Sequence, residues 1–365
     1  MSELLNSEIL TEVHGRLGCI TLNRPKALNA LSLGMVQTLT RTLTLWQTDP
    51  DILAVVVRGQ GKEGPFGAFC AGGDIRFFHQ AAWAGDKALE DFFTEEYALN
   101  YLIHTYSKPY IAFMDGIVMG GGMGISQGAS TRVVTERTKM AMPETHIGLF
   151  PDVGGGYFLS RCPGALGEYL GLTGHVMGAA QAMAAHLADG YIESGRLPNM
   201  WQTLISTPFE NGQAVEHWVR SQFGRLDVPA FPARTQIDAV FKQASVLDMI
   251  KHLEVAVDDW SQETAKVLRH RSPLMLHVVL EQIRKARGMS LADDLRMERD
   301  MVHHCFNLRS TDKSETVEGI RALAVDKDHS PRWQPARIED VSGEEVAAFF
   351  ASPWSATAHP LAKLG

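Results

Sequence analysis

The chain has few cysteines, no excess of positive charge and no long uninterrupted apolar run, and each shortage excludes something. Its four cysteines, Cys19, Cys70, Cys162 and Cys305, stand far apart in 365 residues and form no CxxC pair, which argues against a disulfide framework and a zinc knuckle. That usage suits a reducing compartment, and a cytoplasmic location is expected. Lysine and arginine number 34 against 42 aspartates and glutamates, a formal charge of -8. No basic face for nucleic acid or an anionic membrane is therefore predicted, and any anionic ligand must meet a local cation. The opening MSELLNSEIL has neither a basic start nor an apolar run, and the most apolar glycine-rich stretch, 110–126, is broken by Asp115. Neither a signal peptide nor a membrane span is expected. The closing AKLG ends in glycine and so does not complete a peroxisomal tripeptide.

Absent motifs narrow the chemistry further. Neither GGGMG (120–124) nor GGG (154–156) completes GxGxxG, and no GxxxxGK[ST] occurs, so dinucleotide-fold and P-loop readings of these clusters fail on spacing. The fourteen histidines, His303 and His304 among them, show no HExxH or other metal spacing. No metal site is expected.

With 45% apolar residues the chain can bury a large core, as one large domain or two ordinary ones. Residues 8–22 read as two extended runs around a turn near His14 and Gly15, a hairpin. Met35 to Trp46 reads as a helix with Ser32 as its N-cap. LAVVVRG (53–59) has the β-branched character of a buried strand and runs into a glycine-rich loop. A helix over Lys87 to Tyr106, the strand-like PYIAFMDG, the triplet Gly120 to Gly122 and a further short helix repeat that order. The repetition predicts an α/β core over 1–195. From 196 to 365 strand signals stop, and amphipathic runs at 237–255, 260–287 and 291–306 predict a helical C-terminal region. SPRWQP (330–335) reads as extended, and the tail after Phe350 as loose.

Three glycine clusters, at 72–73, 120–122 and 154–156, each precede a candidate helix. Amides at a helix start are unpaired and partly positive, so two such loops facing each other would form an oxyanion hole. The competing account is that the glycines only permit tight turns or close packing. Glu144 and Asp152 lie eight residues apart in an apolar segment, each directly after a proline. Burial would favour their acid forms, and each would raise the other, so that the two can divide acid and base roles. Alternatively, Glu144 caps the segment after Pro143, and Asp152 is the N-cap of a helix from Val153.

FCAGGDIR (69–76), DGIVMGGGMGIS (115–126) and MPETHIGLFPDVGGGYFLSR (142–161) together resemble the crotonase, or enoyl-CoA hydratase/isomerase, superfamily, and above all its 3-hydroxyisobutyryl-CoA hydrolase branch. The likeness runs from LNRPKALNALS to EGIRALAVDKDHSPRW (318–333). It implies a crotonase-type ββα superhelix with a helical C-terminal region, and oxyanion donors at the Gly73 and Gly121 amides. It also implies that the loop Ala71, Gly72, Gly73 and Asp74 lies along coenzyme A, which is part of the substrate, so that no separate cofactor is called for. Lys26 would contact a phosphate or stand as a solvated surface lysine. Where hydratases carry their first glutamate this chain has Gly124, the second is kept as Glu144, and Asp152 replaces a glycine. Glu96, in EEYALN, matches a further substrate-contacting glutamate of the hydrolase branch, against the alternative of an exposed helix residue. KSETVEGIRA (313–322) departs from the branch, lacking the histidine and phenylalanine usual before EGIRA.

The activity implied is hydrolysis of a short branched β-hydroxyacyl-CoA, 3-hydroxyisobutyryl-CoA of valine breakdown above others. Glu144 would act as base or nucleophile, and Asp152 would hold water or the β-hydroxyl. The rivals are hydration or isomerisation of another acyl-CoA, and a CoA-ester-binding protein without turnover. The resemblance leaves open whether the chain forms a homo-oligomer or its C-terminal region covers its own core.

Overall fold

The computed structural model describes residues 7–365. Its strands, in chain order, are Ile9–His14 (β1), Leu17–Leu22 (β2), Ala54–Gly59 (β3), Tyr110–Met114 (β4), Ile117–Met119 (β5), Thr131–Val134 (β6), Lys139–Ala141 (β7) and Gly190–Tyr191 (β8). β1 and β2 form the expected antiparallel hairpin, with Ile9 opposite Leu22. From β2 onward every neighbour in the sheet is parallel, in the order β1-β2-β3-β4-β6-β8. A parallel sheet needs cover on both faces, and β2 and β4 are buried along their whole length. β5 and β7 pair as a second, two-stranded parallel sheet.

The helices that matter below are Leu33–Thr48 (α1), Ile75–Ala84 (α2), Ala88–His104 (α3), Gly121–Gln127 (α4), Gly155–Ser160 (α5), Leu197–Ser206 (α6), Gly212–Ser221 (α7), Pro273–Ala286 (α8) and Leu291–Asn307 (α9). Ser32 caps α1 as the sequence indicates, its Oγ accepting the Met35 N–H at 3.2 Å. No helix among the described residues is long and apolar enough to cross a membrane.

The chain divides into two compact units that interleave along the sequence, whereas the sequence reading divides it once, near residue 195. The first holds the chain up to Gly73, Ala98–Ala141 and Val176–Ala230; the second holds Asp74–Tyr97, Met142–His175 and Phe231–Gly365. In the first unit, Leu17, Val56, Ile111 and Phe113 of the sheet pack with Leu197, Trp201 and Leu204 of α6 and Val215 and Val219 of α7. Both helices lie beyond residue 195, yet they complete the core of the sheet. In the second unit Phe78 stacks on Phe92 and Phe93, with centroids 4.9 Å away in both cases, and Phe93 meets Phe306 of α9 at 5.8 Å.

Two expectations need correction here. The apolar runs 237–255 and 260–287 are each broken in two, because Ser245 and Ser272 act as N-caps and restart the helix; a serine hydroxyl that accepts from the third amide ahead outweighs continued apolar spacing. The tail after Phe350 is not loose. His359 and Leu361 are buried, Arg296 donates to the Leu361 carbonyl at 3.2 Å, and the Arg299 guanidinium lies 4.8 Å from the Trp354 ring centre. Buried apolar contacts and carbonyl partners hold it.

Candidate active site

In the first unit the backbone brings two of the glycine loops together. Cys70 donates its N–H to the Ile117 carbonyl at 2.9 Å, and Met119 donates to the Cys70 carbonyl at 3.0 Å. The segment before Gly72 therefore runs beside β5, and both chains then enter their turns side by side. A Cβ on Gly122 would lie 2.3 Å from the Cys70 carbonyl oxygen. Only glycine permits that approach. A Cβ on Gly72 would lie 3.7 Å from the Gly121 nitrogen, so the Gly72–Gly73 and Gly120–Gly121 turns are neighbours. Gly121 opens α4 and so carries one of the amides a helix leaves unsatisfied. Neither its N–H nor that of Gly73 donates to a partner among the described residues.

Ala71 and Gly73 are half-buried in this loop. Lys26 sits in a short 3-10 turn, Pro25–Ala27, and is exposed. Asp74 caps α2, its Oδ1 accepting the Phe77 N–H at 3.3 Å.

The second unit gathers the acids. Glu144 begins a 3-10 turn, Glu144–Ile147, set by the proline before it. Its side chain caps nothing, is buried, and leaves Oε2 without a partner. Asp152 is buried as well, and the Tyr97 hydroxyl donates to its Oδ2 at 3.0 Å. The following helix begins only at Gly155, with Gly154 as N-cap. The capping accounts of both residues thus fail. Glu96 is 2% exposed, with Oε1 unpartnered, rather than an exposed helix residue.

These three carboxyls feel one another. Burial, and then the charge of Asp152, holds Glu96 well above the usual carboxylate range. Glu144 is raised likewise by burial, then by Asp152 and to a lesser degree Glu96. Burial lifts Asp152 to about 7, against the lowering effect of the Tyr97 hydrogen bond. The charge of an ionised Asp152 disfavours ionisation of its two neighbours. Glu144, once deprotonated beside it, is a strong proton acceptor.

The sequence reading missed Tyr97 and three residues of α8 and α9. Glu298 accepts the Gly154 N–H on Oε2 at 2.7 Å and the Gly156 N–H on Oε1 at 2.9 Å. Gln282 donates Nε2 to the Pro151 carbonyl at 2.7 Å and to Glu298 Oε1 at 3.0 Å. Asp294 accepts the Tyr157 N–H at 2.9 Å. All three side chains are fully buried. A signal existed: Asp294 and Glu298 stand four apart on the stripe of Leu291, Leu295, Met301, Val302 and Cys305, where apolar residues are expected.

Comparison with known proteins follows the same pattern. The family model described as enoyl-CoA hydratase/isomerase matches residues 17–350. The mitochondrial 3-hydroxyisobutyryl-CoA hydrolase of Xenopus tropicalis is 39% identical over 353 residues, covering 95% of this chain and 89% of the relative. A probable 3-hydroxyisobutyryl-CoA hydrolase of Arabidopsis thaliana is 38% identical over 363 residues, 94% and 91% of the two chains. Among solved structures, a carnitinyl-CoA dehydratase from Mycobacterium thermoresistibile superimposes with TM-score 0.85 at 38% identity, over 95% of this chain and 97% of that one. An enoyl-CoA hydratase from Rhodobacter sphaeroides gives TM-score 0.84 at 35% identity, over 95% and 98%. The expected cytoplasmic location does not stand, since the frog and chicken relatives are named as mitochondrial. The four cysteines are buried free thiols, which does not choose between compartments.

Proposed function

The chain belongs to the enoyl-CoA hydratase/isomerase family, and from that premise we propose that it is an acyl-CoA thioester hydrolase acting on 3-hydroxyisobutyryl-CoA, a step of valine breakdown. The observation that carries this reading is the acid inventory. Gly124 stands where the hydratases carry a glutamate, while Asp152 joins Glu144 and Glu96 in one buried cluster. An enzyme that has lost one acid of a hydration pair and gained another elsewhere is suited to a different proton path.

In this reading the thioester carbonyl accepts hydrogen bonds from the Gly73 and Gly121 amides, and these stabilise the negative charge that develops on oxygen. Glu144 either takes a proton from water as it attacks, or attacks the carbonyl itself to give an anhydride that water then opens. Both routes break the C–S bond, release coenzyme A as its thiol and leave the free acid. Asp152, in its ionised form, holds the β-hydroxyl or the attacking water. Glu96 contacts the substrate as a neutral acid able to donate. The loop from Ala71 through Gly72 to Asp74 lies along coenzyme A, and exposed Lys26 meets a phosphate.

Hydration is the second reading, favoured by the likeness to a dehydratase and a hydratase among the solved structures. One assay separates them: release of free thiol against change in enoyl absorbance. Thiol release from 3-hydroxyisobutyryl-CoA by wild type, reduced by about two to four orders of magnitude in Glu144→Gln with ester affinity kept, is the expected result. A folded variant with more than half the wild-type turnover removes Glu144 from the mechanism, and an absorbance change without thiol release favours hydration.

A further inference from the structure

We propose that Glu298 is the positioning residue for Asp152: a single carboxyl group from α9, seconded by Gln282 of α8, fixes the turn that aims Asp152 at the substrate's β-hydroxyl. The inference rests on the role assigned to Asp152 above.

The turn needs holding. Val153 has φ +57° and Gly154 φ +87°. Two successive residues lie in the left-handed region, and the first is β-branched, the kind of side chain that region tolerates least. Such a conformation persists only where the surroundings over-determine it. Here they do so from both sides of Asp152. Before it, the Pro151 carbonyl accepts from Gln282 Nε2 at 2.7 Å. After it, the Gly154 and Gly156 amides donate to separate oxygens of Glu298, at 2.7 and 2.9 Å. Gln282 also ties itself to Glu298 at 3.0 Å, so the grips are linked. The backbone next to the clamp has no slack, because a Cβ on Gly156 would fall 2.3 Å from Asp294 Oδ1. Asp152 itself makes no bond to Glu298 among the described residues; its one side-chain partner there is Tyr97. Glu298 thus holds the Asp152 turn through backbone hydrogen bonds, and the charge of Asp152 in turn raises Glu298.

A carboxyl group is required because two divergent N–H groups need two acceptor oxygens; burial, and then the charge of Asp294, holds Glu298 well above the usual carboxylate range, and the two glycine amides oppose this. Glu298→Gln keeps the volume but sets an NH2 group against one glycine amide, which frees one end of the turn. The test measures kcat and KM for 3-hydroxyisobutyryl-CoA and for isobutyryl-CoA, which lacks the hydroxyl. Wild type, Glu298→Gln, Asp152→Asn and the double variant are compared, with melting curves and CoA-ester binding.

Misplacing a positioned group by about 1 Å can cost about a hundredfold, so Glu298→Gln is expected to lower kcat for the hydroxylated ester by about tenfold or more and for the other ester much less. On the Asp152→Asn background the same change should cost little more, because residues acting as a unit are not additive. A purely structural role would lower the melting temperature and leave the ratio between the esters unchanged. Should Glu298→Gln not fold, Gln282→Met removes the other grip and is expected to move the same ratio in the same direction. Equal losses on both esters, or full multiplication of losses in the double variant, overturn the clamp. An unchanged ester ratio in Asp152→Asn overturns instead the hydroxyl-recognition role on which it rests.

Discussion

Replacing Tyr97 by phenylalanine tests the electrostatics of the acid cluster with a change of one atom. The Tyr97 hydroxyl donates to Asp152 Oδ2 at 3.0 Å, with both residues buried. A hydrogen bond to a charged acceptor is worth about 1.5–3 kcal/mol, and one between neutral groups about 0.5–1.5. The donor therefore favours the ionised form of Asp152 by about 1–1.5 kcal/mol, or about one pKa step at 1.36 kcal/mol each. Its loss raises Asp152 from about 7 toward about 8. If ionised Asp152 holds the hydroxyl or the water, kcat/KM against pH carries an acid-side ionisation for Asp152 besides that of Glu144, and the Asp152 ionisation moves to higher pH by about one, since kcat/KM reports the free enzyme. Activity near pH 6.5 then falls several-fold, while activity near pH 9 stays close to wild type. The ring remains to pack against Phe93, 6.1 Å away between centroids, so the fold should survive, and a melting curve checks this. An acid limb that stays in place, or moves to lower pH, in a folded Tyr97→Phe protein refutes the reasoning.

Gly121→Pro deletes the N–H assigned to the oxyanion at the first position of α4, where a helix tolerates proline; thiol release should fall about 10²- to 10³-fold, and persistence in a folded, ligand-binding variant removes that amide from the role. Asp294→Asn probes the clamp's foundation. Burial lifts Asp294 to about 7, so its stabilising contribution is present below the unfolded value near 4 and is lost as pH rises through about 7. Relative to wild type, Asp294→Asn should therefore gain stability between pH 5 and 8 in paired thermal melts, and a difference that does not change with pH refutes the assignment.

That the Gly72–Gly73 and Gly120–Gly121 turns are neighbours was not readable, since nothing local ties segments so far apart in the chain; the hairpin, the capped α1 and the buried strands were, because each rests on a local rule. So were Glu144 and Asp152, as acids in an apolar segment following prolines. The division into units was not readable. α6 and α7 belong to the core of the sheet only because Trp201 and Val219 meet Phe113 and Val133 in space, and no period along the chain records that. Tyr97 escaped because an aromatic on a helix reads as core, which it is; its hydroxyl becomes informative only when Asp152, 55 positions later, is brought to it. The split helices were legible in principle, since Ser272 followed by Pro273 is a start signal inside an apolar run.

The hydrogen bonds of the second unit's buried acids separate support from chemistry. Glu298 spends both oxygens on glycine amides, Asp294 accepts the Tyr157 amide, and Glu315 accepts from Ser272 and the Gln334 amide. Each fixes backbone, which offsets some of the cost of burial, although Asp294 keeps Oδ1 without a hydrogen-bond partner. Glu144 and Glu96 are buried as deeply, yet Glu144 Oε2 and Glu96 Oε1 meet no partner. A buried polar atom left unsatisfied costs about 1–3 kcal/mol, with no stabilising return within the unit. Selection for stability alone would replace such residues by glutamine with a partner or by an apolar side chain. Their presence is explained if the missing partners arrive with the substrate and its water. Glu144→Gln should then leave the unliganded protein as stable as wild type or more so, while losing turnover. A clear drop in melting temperature without substrate would mean that Glu144 supports the fold and would undo this argument.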